Sequence, residues 1–482
     1  MSHARFIAII DDLLKLPAET VWAEFKHGNV DAQRIGRTVS AVANGARLAD
    51  RPMGYVVWGV EDGTQRITGT AWEPGRATHG AQALEIWLAR MLDPSPAFAF
   101  HAVSHPAGRV VILEVPPATH APVAFDRHAY IRVGSSVSRL ADHRERERAL
   151  WAKLQTFAWE QAIATSFITG EEVLALLDHR AYFKLTGQPA PEAPASILTR
   201  LADDNLIAPD VGGRWNVLNL GAILFARRLA AFDRLARKAV RVVDYEGNDR
   251  TKARRRWEVA EGYANGFGNL LATVNALLPL NEHIGQAFRT EQRVYPEIAV
   301  RELVANALIH QDMTVTGAGP VIDVFADRVE ITNPGAPLND PRRLIDLPPR
   351  SRNEAMAALS RRMGMCEEGG TGLDKVVAAA EVYQLPAPDF RAEGDNMRTL
   401  LFAPRSFSEM SSAERVRAAE QHAVLCYLSG SRMTNTSLRT RLGIAGQNAA
   451  QASRIIKEAL AQGLIRVADP DAPRSGYVPG WV

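Results

Sequence analysis

The chain has 482 residues, a length that allows two to four domains. Hydrophobic residues make up 46 % and charged residues 23 %, which excludes a disordered chain, a collagen-like fibre and a coiled-coil rod. Lys and Arg number 56 against 54 Asp and Glu, so at a net charge of +2 any nucleic-acid contact has to come from local basic patches.

Residues 1–150 read as one α/β domain. A helix is expected over 5–16, then an extended segment over 19–26. The first residues mix acidic groups into an amphipathic pattern, which is not that of a signal peptide. A second helix is expected over 31–44, with Ile35, Val39 and Val42 at helical spacing. Short β-like runs follow at 55–60, 98–103, 109–115 and 129–133, separated by Gly, Pro and Asp turns.

Residues 151–290 read as a helix-rich linker domain, with a winged-helix-like part over 197–216. Within it, five of the seven residues 250–256 are basic, among them Arg254, Arg255 and Arg256. They are expected either as a solvated helix face or as a phosphate-contacting patch. The uncharged stretch 262–281 holds four Asn and a Pro, so it reads as a buried helix and no membrane span is expected. Residues 291–405 alternate helix and strand. Residues 412–482 form a last unit with helical patterns at 413–428, 436–442 and 448–462 before a terminal hairpin, the pattern of a winged helix-turn-helix. Its longest helix carries Arg454 and Lys457, which can reach bases or phosphates in a major groove; a protein-binding winged helix is the other reading. Cys366 and Cys426 are too few for a disulfide framework or a Cys-rich zinc site, and a reducing cytoplasm suits them.

Two constellations carry chemistry. Near the start, Glu19 and Glu24 lie five positions apart, and Lys26 shares a side with Glu24 in an extended segment. Asp62 sits where the run 55–60 stops. Such carboxylates can bind Mg²⁺ or Mn²⁺, which activates water and stabilises a phosphodiester's charge, with a Lys on the phosphate. On spacing alone, solvated surface carboxylates are the ordinary alternative. In the second half, Glu302 and Asn306 are i and i+4 on a helical pattern over 295–312, so they share a face. The Glu can orient water and the Asn oxygen can bind Mg²⁺. The runs Asp327-Arg328-Val329-Glu330-Ile331-Thr332-Asn333-Pro334-Gly335, Ser351-Arg352-Asn353-Glu354-Ala355-Met356 and Gly370-Thr371-Gly372-Leu373 follow. The last opens a helix, where glycines let backbone N–H groups approach phosphates. His310, followed by Asp312, reads as a satisfied histidine more readily than a catalytic one.

The order of Glu19, Glu24-Phe25-Lys26, Ala41-Val42-Ala43-Asn44, Gly59-Val60-Glu61-Asp62-Gly63, Ile67-Thr68-Gly69 and Tyr130-Ile131-Arg132-Val133-Gly134-Ser135 resembles a prokaryotic Schlafen-type AlbA-like domain. The resemblance implies a nucleic-acid-binding or nuclease domain, with Glu19, Glu24 and Asp62 around a divalent metal and Lys26 beside them. The segment Gly45-Ala46-Arg47-Leu48-Ala49-Asp50 departs from the Gly-Gly step of many relatives. The second set resembles the divergent histidine-kinase/gyrase-type (GHKL) ATP-binding domain. It implies an N-box at Glu302 and Asn306, a first glycine box at Asn333, Pro334 and Gly335, and a second at Gly370, Thr371 and Gly372. No adenine-binding Asp within a DxGxG turn has a clean counterpart.

The expected architecture is therefore an α/β multidomain chain. It has a Schlafen/AlbA-like α+β domain at 1–150, a helical and winged-helix middle at 151–290, a GHKL-like α/β sandwich at 291–405 and a winged helix at 412–482. Two functions follow from the resemblance. One is an ATP-regulated, metal-dependent nuclease acting on RNA, tRNA or single-stranded DNA, with weak ATPase activity and a place in anti-phage defence. The other is an ATP-responsive DNA-binding transcriptional regulator without catalysis. Either implies ATP and nucleic acid as partners, a homo-oligomer and a cytoplasmic setting. The first also implies Mg²⁺ or Mn²⁺.

Overall fold

Phe6, Ile9, Ile10 and Leu13 recur at helical steps and are buried along one side of helix α1 (His3–Leu13). The computed structural model describes residues 3–16, 20–28, 30–61, 63–155, 159–284, 289–366, 372–472 and 475–482. Its contacts divide it into two units, Met1–Gly170 with Ile207–Leu218, and Glu171–Leu206 with Asn219–Val482.

In the first unit, strands β1 (Ala23–Lys26), β2 (Gly54–Trp58), β3 (Ala99–His105) and β4 (Gly108–Val115) form a sheet in the order β1-β2-β4-β3. β1 and β2 are parallel, with Glu24 opposite Val56 and Lys26 opposite Trp58. Because side chains alternate across a strand, Ala23, Phe25, Tyr55, Val57, Val110 and Ile112 pack with α1. Val56, Trp58, Val111 and Leu113 pack instead with Ile35, Val39 and Val42 of helix α2 (Ala32–Leu48). Both faces are thus covered, which explains the near-continuous apolar runs. A further strand, β5 (His128–Val133), pairs with Ser136–Arg139 in a second sheet. The expected strands match to within two residues at each end.

The Ala-Asn step closing the expected second helix has a structural task. Asn44 is fully buried and its Nδ2 donates to the carbonyls of Val123 and Tyr130, both at 2.9 Å. Its Oδ1 accepts from the Val123 N–H at 2.8 Å. Asn44→Ala would remove three buried hydrogen bonds, with the Val123 carbonyl keeping its bond from Ser40 Oγ, and we expect a loss of about 2 to 3 kcal/mol in urea unfolding. An unchanged midpoint would show that the clip carries no stability.

The expected helical domain at 151–290 is not one body. Strand Ile163–Ile168 pairs with Trp215–Leu218, which pairs with Ile207–Pro209, and this sheet belongs to the first unit. Helix Pro194–Asp203 belongs to the second. Phe167 joins the α1 core, a long-range contact that no local pattern marks.

The second unit is built on a six-stranded sheet among the described residues. Its strands are β6 (Val240–Tyr245), β7 (Ala253–Val259), β8 (Val321–Val324), β9 (Arg328–Pro334), β10 (Asp389–Glu393) and β11 (Asn396–Phe402), in the order β7-β6-β8-β9-β11-β10. The expected boundary at 290/291 therefore falls inside this sheet's span. Arg254, Arg255 and Arg256 lie exposed on β7, an edge strand, and not on a helix. Arginine favours helices weakly, and pairing with the apolar β6 overrides that preference. Asp323 and Glu330, opposite each other across β8 and β9, are both bound by Arg250, at 2.9 and 2.8 Å. Their acidity is neutralised within the sheet.

Helix α3 (Glu297–Ile309) packs on β9 and on α5 (Gly372–Val382), with α4 (Glu354–Arg362) beside it. The chain ends in α6 (Ser412–Leu428), α7 (Asn435–Leu442), α8 (Ala449–Ala461) and an antiparallel pair, Ile465–Val467 with Tyr477–Pro479. These helices lie within one residue of the expected limits. No described helix is long and apolar enough to cross a membrane.

Candidate nucleotide cleft and acidic cluster

Glu302 and Asn306 stand one turn apart on α3 and line an open cleft with Asn333, Gly335 and Gly372. Gly372 begins α5 so close to α3 that a Cβ there would fall 2.6 Å from Glu302 Oε2. Any side chain at 372 would make the Glu302 carboxylate shift from the helix start. Gly335 ends β9 with φ +102°, and its turn receives the Asp312 N–H at the Pro334 carbonyl, 2.7 Å away. Gly370 and Thr371 of the expected second glycine box lie outside the described residues.

The far wall comes from residues that the motif reading did not assign to the cleft. Asn353 is buried, and its Nδ2 donates to the carbonyls of Ile309 and Gln311, each at 2.8 Å. It closes the C-terminal end of α3 and fixes the loop that brings Arg350 and Arg352 to the cleft. Arg352 Nη2 donates to the Ala336 carbonyl at 2.7 Å. Arg361 arrives from α4. Leu344, Leu347 and Phe390 supply apolar surface. Burial holds the His310 imidazole below its ordinary pKa, and Arg352 and Arg361 push the same way against its bond to the Arg350 carbonyl. It is neutral at pH 7. Behind the cleft, buried Lys238 donates from Nζ to the carbonyls of Asp312 and Val315, at 3.3 and 2.9 Å. Burial brings its pKa down to about 8, with Asp312 opposing.

ATP fits this donor set. A helix N-terminus and three arginines balance phosphate charge. The Asn306 amide and Glu302 carboxylate are hard oxygen ligands of the kind its Mg²⁺ takes. The apolar wall suits a base.

The acidic cluster is built differently from the expectation. Period-two alternation does place Glu24 and Lys26 on one side of β1, and they form an ion pair. The opposite carboxylate oxygen of Glu24 meets Arg132 Nη1 at 2.5 Å. Glu24 is 2 % exposed and Arg132, from β5, is completely buried. Glu19 and Asp62 lie outside the described residues. Among the described residues no group of three His, Cys, Asp or Glu side chains could hold a metal ion. Of the three expected carboxylates only Glu24 is described, and it is paired with two cations, Lys26 and the buried Arg132.

Residues 19–141 match the family model described as "Schlafen, AlbA_2". The chain carries a Schlafen AlbA_2 domain. Residues 317–401 match the model described as "Putative ATP-dependent DNA helicase recG C-terminal", an ATPase-like domain. No curated protein matches the chain. The crystal structure of the DIP2311 protein from Corynebacterium diphtheriae is similar at 18 % identity over 99 % of this chain and 97 % of that one, with a TM-score of 0.42.

The match to the ATPase-like model takes in Asn333, Gly335 and Gly372 but starts after α3, so Glu302 and Asn306 join the cleft through packing. The Schlafen AlbA_2 match covers both Glu24 and Arg132. Arg132 stands in the Tyr-Ile-Arg-Val run that marks the domain, yet its pairing with a residue 108 positions earlier leaves no local trace. The other basic candidates are not among the residues lining the cleft. Arg454 and Lys457 are exposed on α8, turned outward by buried Ala452, Ile455, Ile456 and Ala459.

Proposed function

We propose that this chain is an ATP-binding protein that binds nucleic acid, with nucleotide occupancy adjusting that binding, rather than a nuclease. The reading is carried by one cleft lined together by Glu302, Asn306, the helix-opening Gly372 and the arginines Arg350, Arg352 and Arg361. The Schlafen AlbA_2 domain supports the nucleic-acid partner. Binding is favoured over cleavage because the Glu24 carboxylate is held by Arg132 and Lys26. The three C-terminal helices and their hairpin support a winged helix-turn-helix, and a GHKL-like sandwich remains our reading of the six-stranded sheet with α3 and α5. Phosphate contacts are assigned to Arg254, Arg255 and Arg256 on the β7 edge and to Arg454 and Lys457 on α8.

The test uses the purified full chain. Mg-ATP is titrated calorimetrically, then labelled RNA and single- and double-stranded DNA are followed by polarisation with and without ATP. The same strands are run on denaturing gels with Mn²⁺. We expect ATP binding, a nucleic-acid affinity that shifts with ATP, and intact strands. Absence of ATP binding overturns the cleft, and Mn²⁺-dependent cleavage lost in Glu24→Ala reinstates the nuclease reading. Replacing Arg254, Arg255 and Arg256 together by Ala is expected to weaken all strands alike and lower the salt slope by about 2 to 3. A slope equal to that of the unaltered chain removes the β7 edge from the interface.

A further inference from the structure

Outside both clusters, three helices of the second unit meet around one carboxylate. Glu381, in the last turn of α5, accepts from His422 Nδ1 of α6, with Oε2 at 3.0 Å and Oε1 at 3.2 Å. Arg441 of α7 approaches the same carboxylate, Nε to Oε1 at 3.2 Å, and is anchored by its Nη2 bond to the Leu385 carbonyl at 2.8 Å. The other ring nitrogen of His422, Nε2, lies 3.7 Å from Cys426 Sγ, one helical turn along α6. A thiol, an imidazole and an orienting carboxylate are thus in line. This is the order of groups that activates a sulfur nucleophile. Burial works against a charged imidazole here, but bonds to Cys426 and Glu381 outweigh it and raise the His422 pKa to about 9. Cys426 is partly exposed, packed at the edge of the core of α6, α7 and α8.

We propose that Cys426 is a reactive thiol, a modification site for hydroperoxides, activated by His422 and Glu381. The thiolate attacks one oxygen of the peroxide bond. An S–O bond forms as the O–O bond breaks. Sulfur is oxidised to the sulfenic acid, and the departing oxygen takes the imidazolium proton and leaves as water or an alcohol. A thiolate beside an imidazolium is the form that reacts. The modified sulfur would stand where α5, α6 and α7 are tied together through Glu381.

The test is peptide-resolved mass spectrometry of the full reduced chain after brief hydrogen peroxide exposure, with dimedone trapping the sulfenic acid. Alkylation by monobromobimane is timed in parallel. Cys366 serves as the internal comparison. Cys426 is expected to react about tenfold faster than Cys366. His422→Gln is expected to slow it by about tenfold with Cys366 unchanged. Should His422→Gln fail to fold, Glu381→Gln keeps the ring, removes its anionic partner and is read in the same way. A Cys426 no faster than Cys366, or one indifferent to both substitutions, overturns the proposal.

Discussion

Asn306→Ala is expected to weaken Mg-ATP binding by about 100-fold, near 3 kcal/mol. The half-buried amide lines the cleft one turn from Glu302 and lies beside the Gly372 helix start. On the proposed reading it would offer Mg²⁺ a neutral oxygen without adding another carboxylate to desolvate. Calorimetric titration of the variant decides it, and affinity equal to that of the unaltered chain would remove α3 from the nucleotide site. Gly372→Val is the companion. Its branched side chain would press on Glu302 Oε2, and ATP binding should again be lost while thermal unfolding stays cooperative.

The second large effect concerns Glu24. If Glu24 served mainly as a metal ligand, its neutralisation would relieve charge crowding, and Glu24→Gln would leave stability unchanged or raised. The ion pairs predict the reverse. Glu24→Gln removes the carboxylate charge that faces the fully buried Arg132 guanidinium. Breaking one side of such a pair costs about 3 to 5 kcal/mol. Urea unfolding should show that loss, and Glu24→Gln combined with Arg132→Met should recover most of it, since the buried positive charge is removed along with its counter-ion. A stable Glu24→Gln variant would mean that Arg132 is satisfied by other groups and that Glu24 is available for another task.

Local patterns carried a good deal of this molecule. The i, i+4 step of Glu302 and Asn306 sufficed to put both at one cleft. The period-two step of Glu24 and Lys26 sufficed to put them on one side of β1. The Gly372 turn was recognisable because glycines that open a helical pattern let backbone N–H groups approach a phosphate. The limits of α6, α7 and α8 followed from apolar spacing, because burial of one helix face repeats every three to four residues wherever the helix packs.

Partner choice was another matter. Arg132 reads locally as a basic residue in a strand, and only the meeting of β5 with β1 makes it the counter-ion of Glu24. The basic run at Arg254 to Arg256 has a helix-like composition and became an edge strand because β6 offered it hydrogen bonds. Lys238 and Asn353 look like ordinary polar residues until their side chains are seen closing backbone carbonyls near α3. From its order of residues alone, the chain determined where most of its helices and the strands of the first sheet lie and which motifs occur, since those depend on neighbours a few positions away. Tertiary structure alone decided which strands share a sheet, which acid meets which base and where the cleft opens, since those depend on groups a hundred or more positions apart competing for the same buried space.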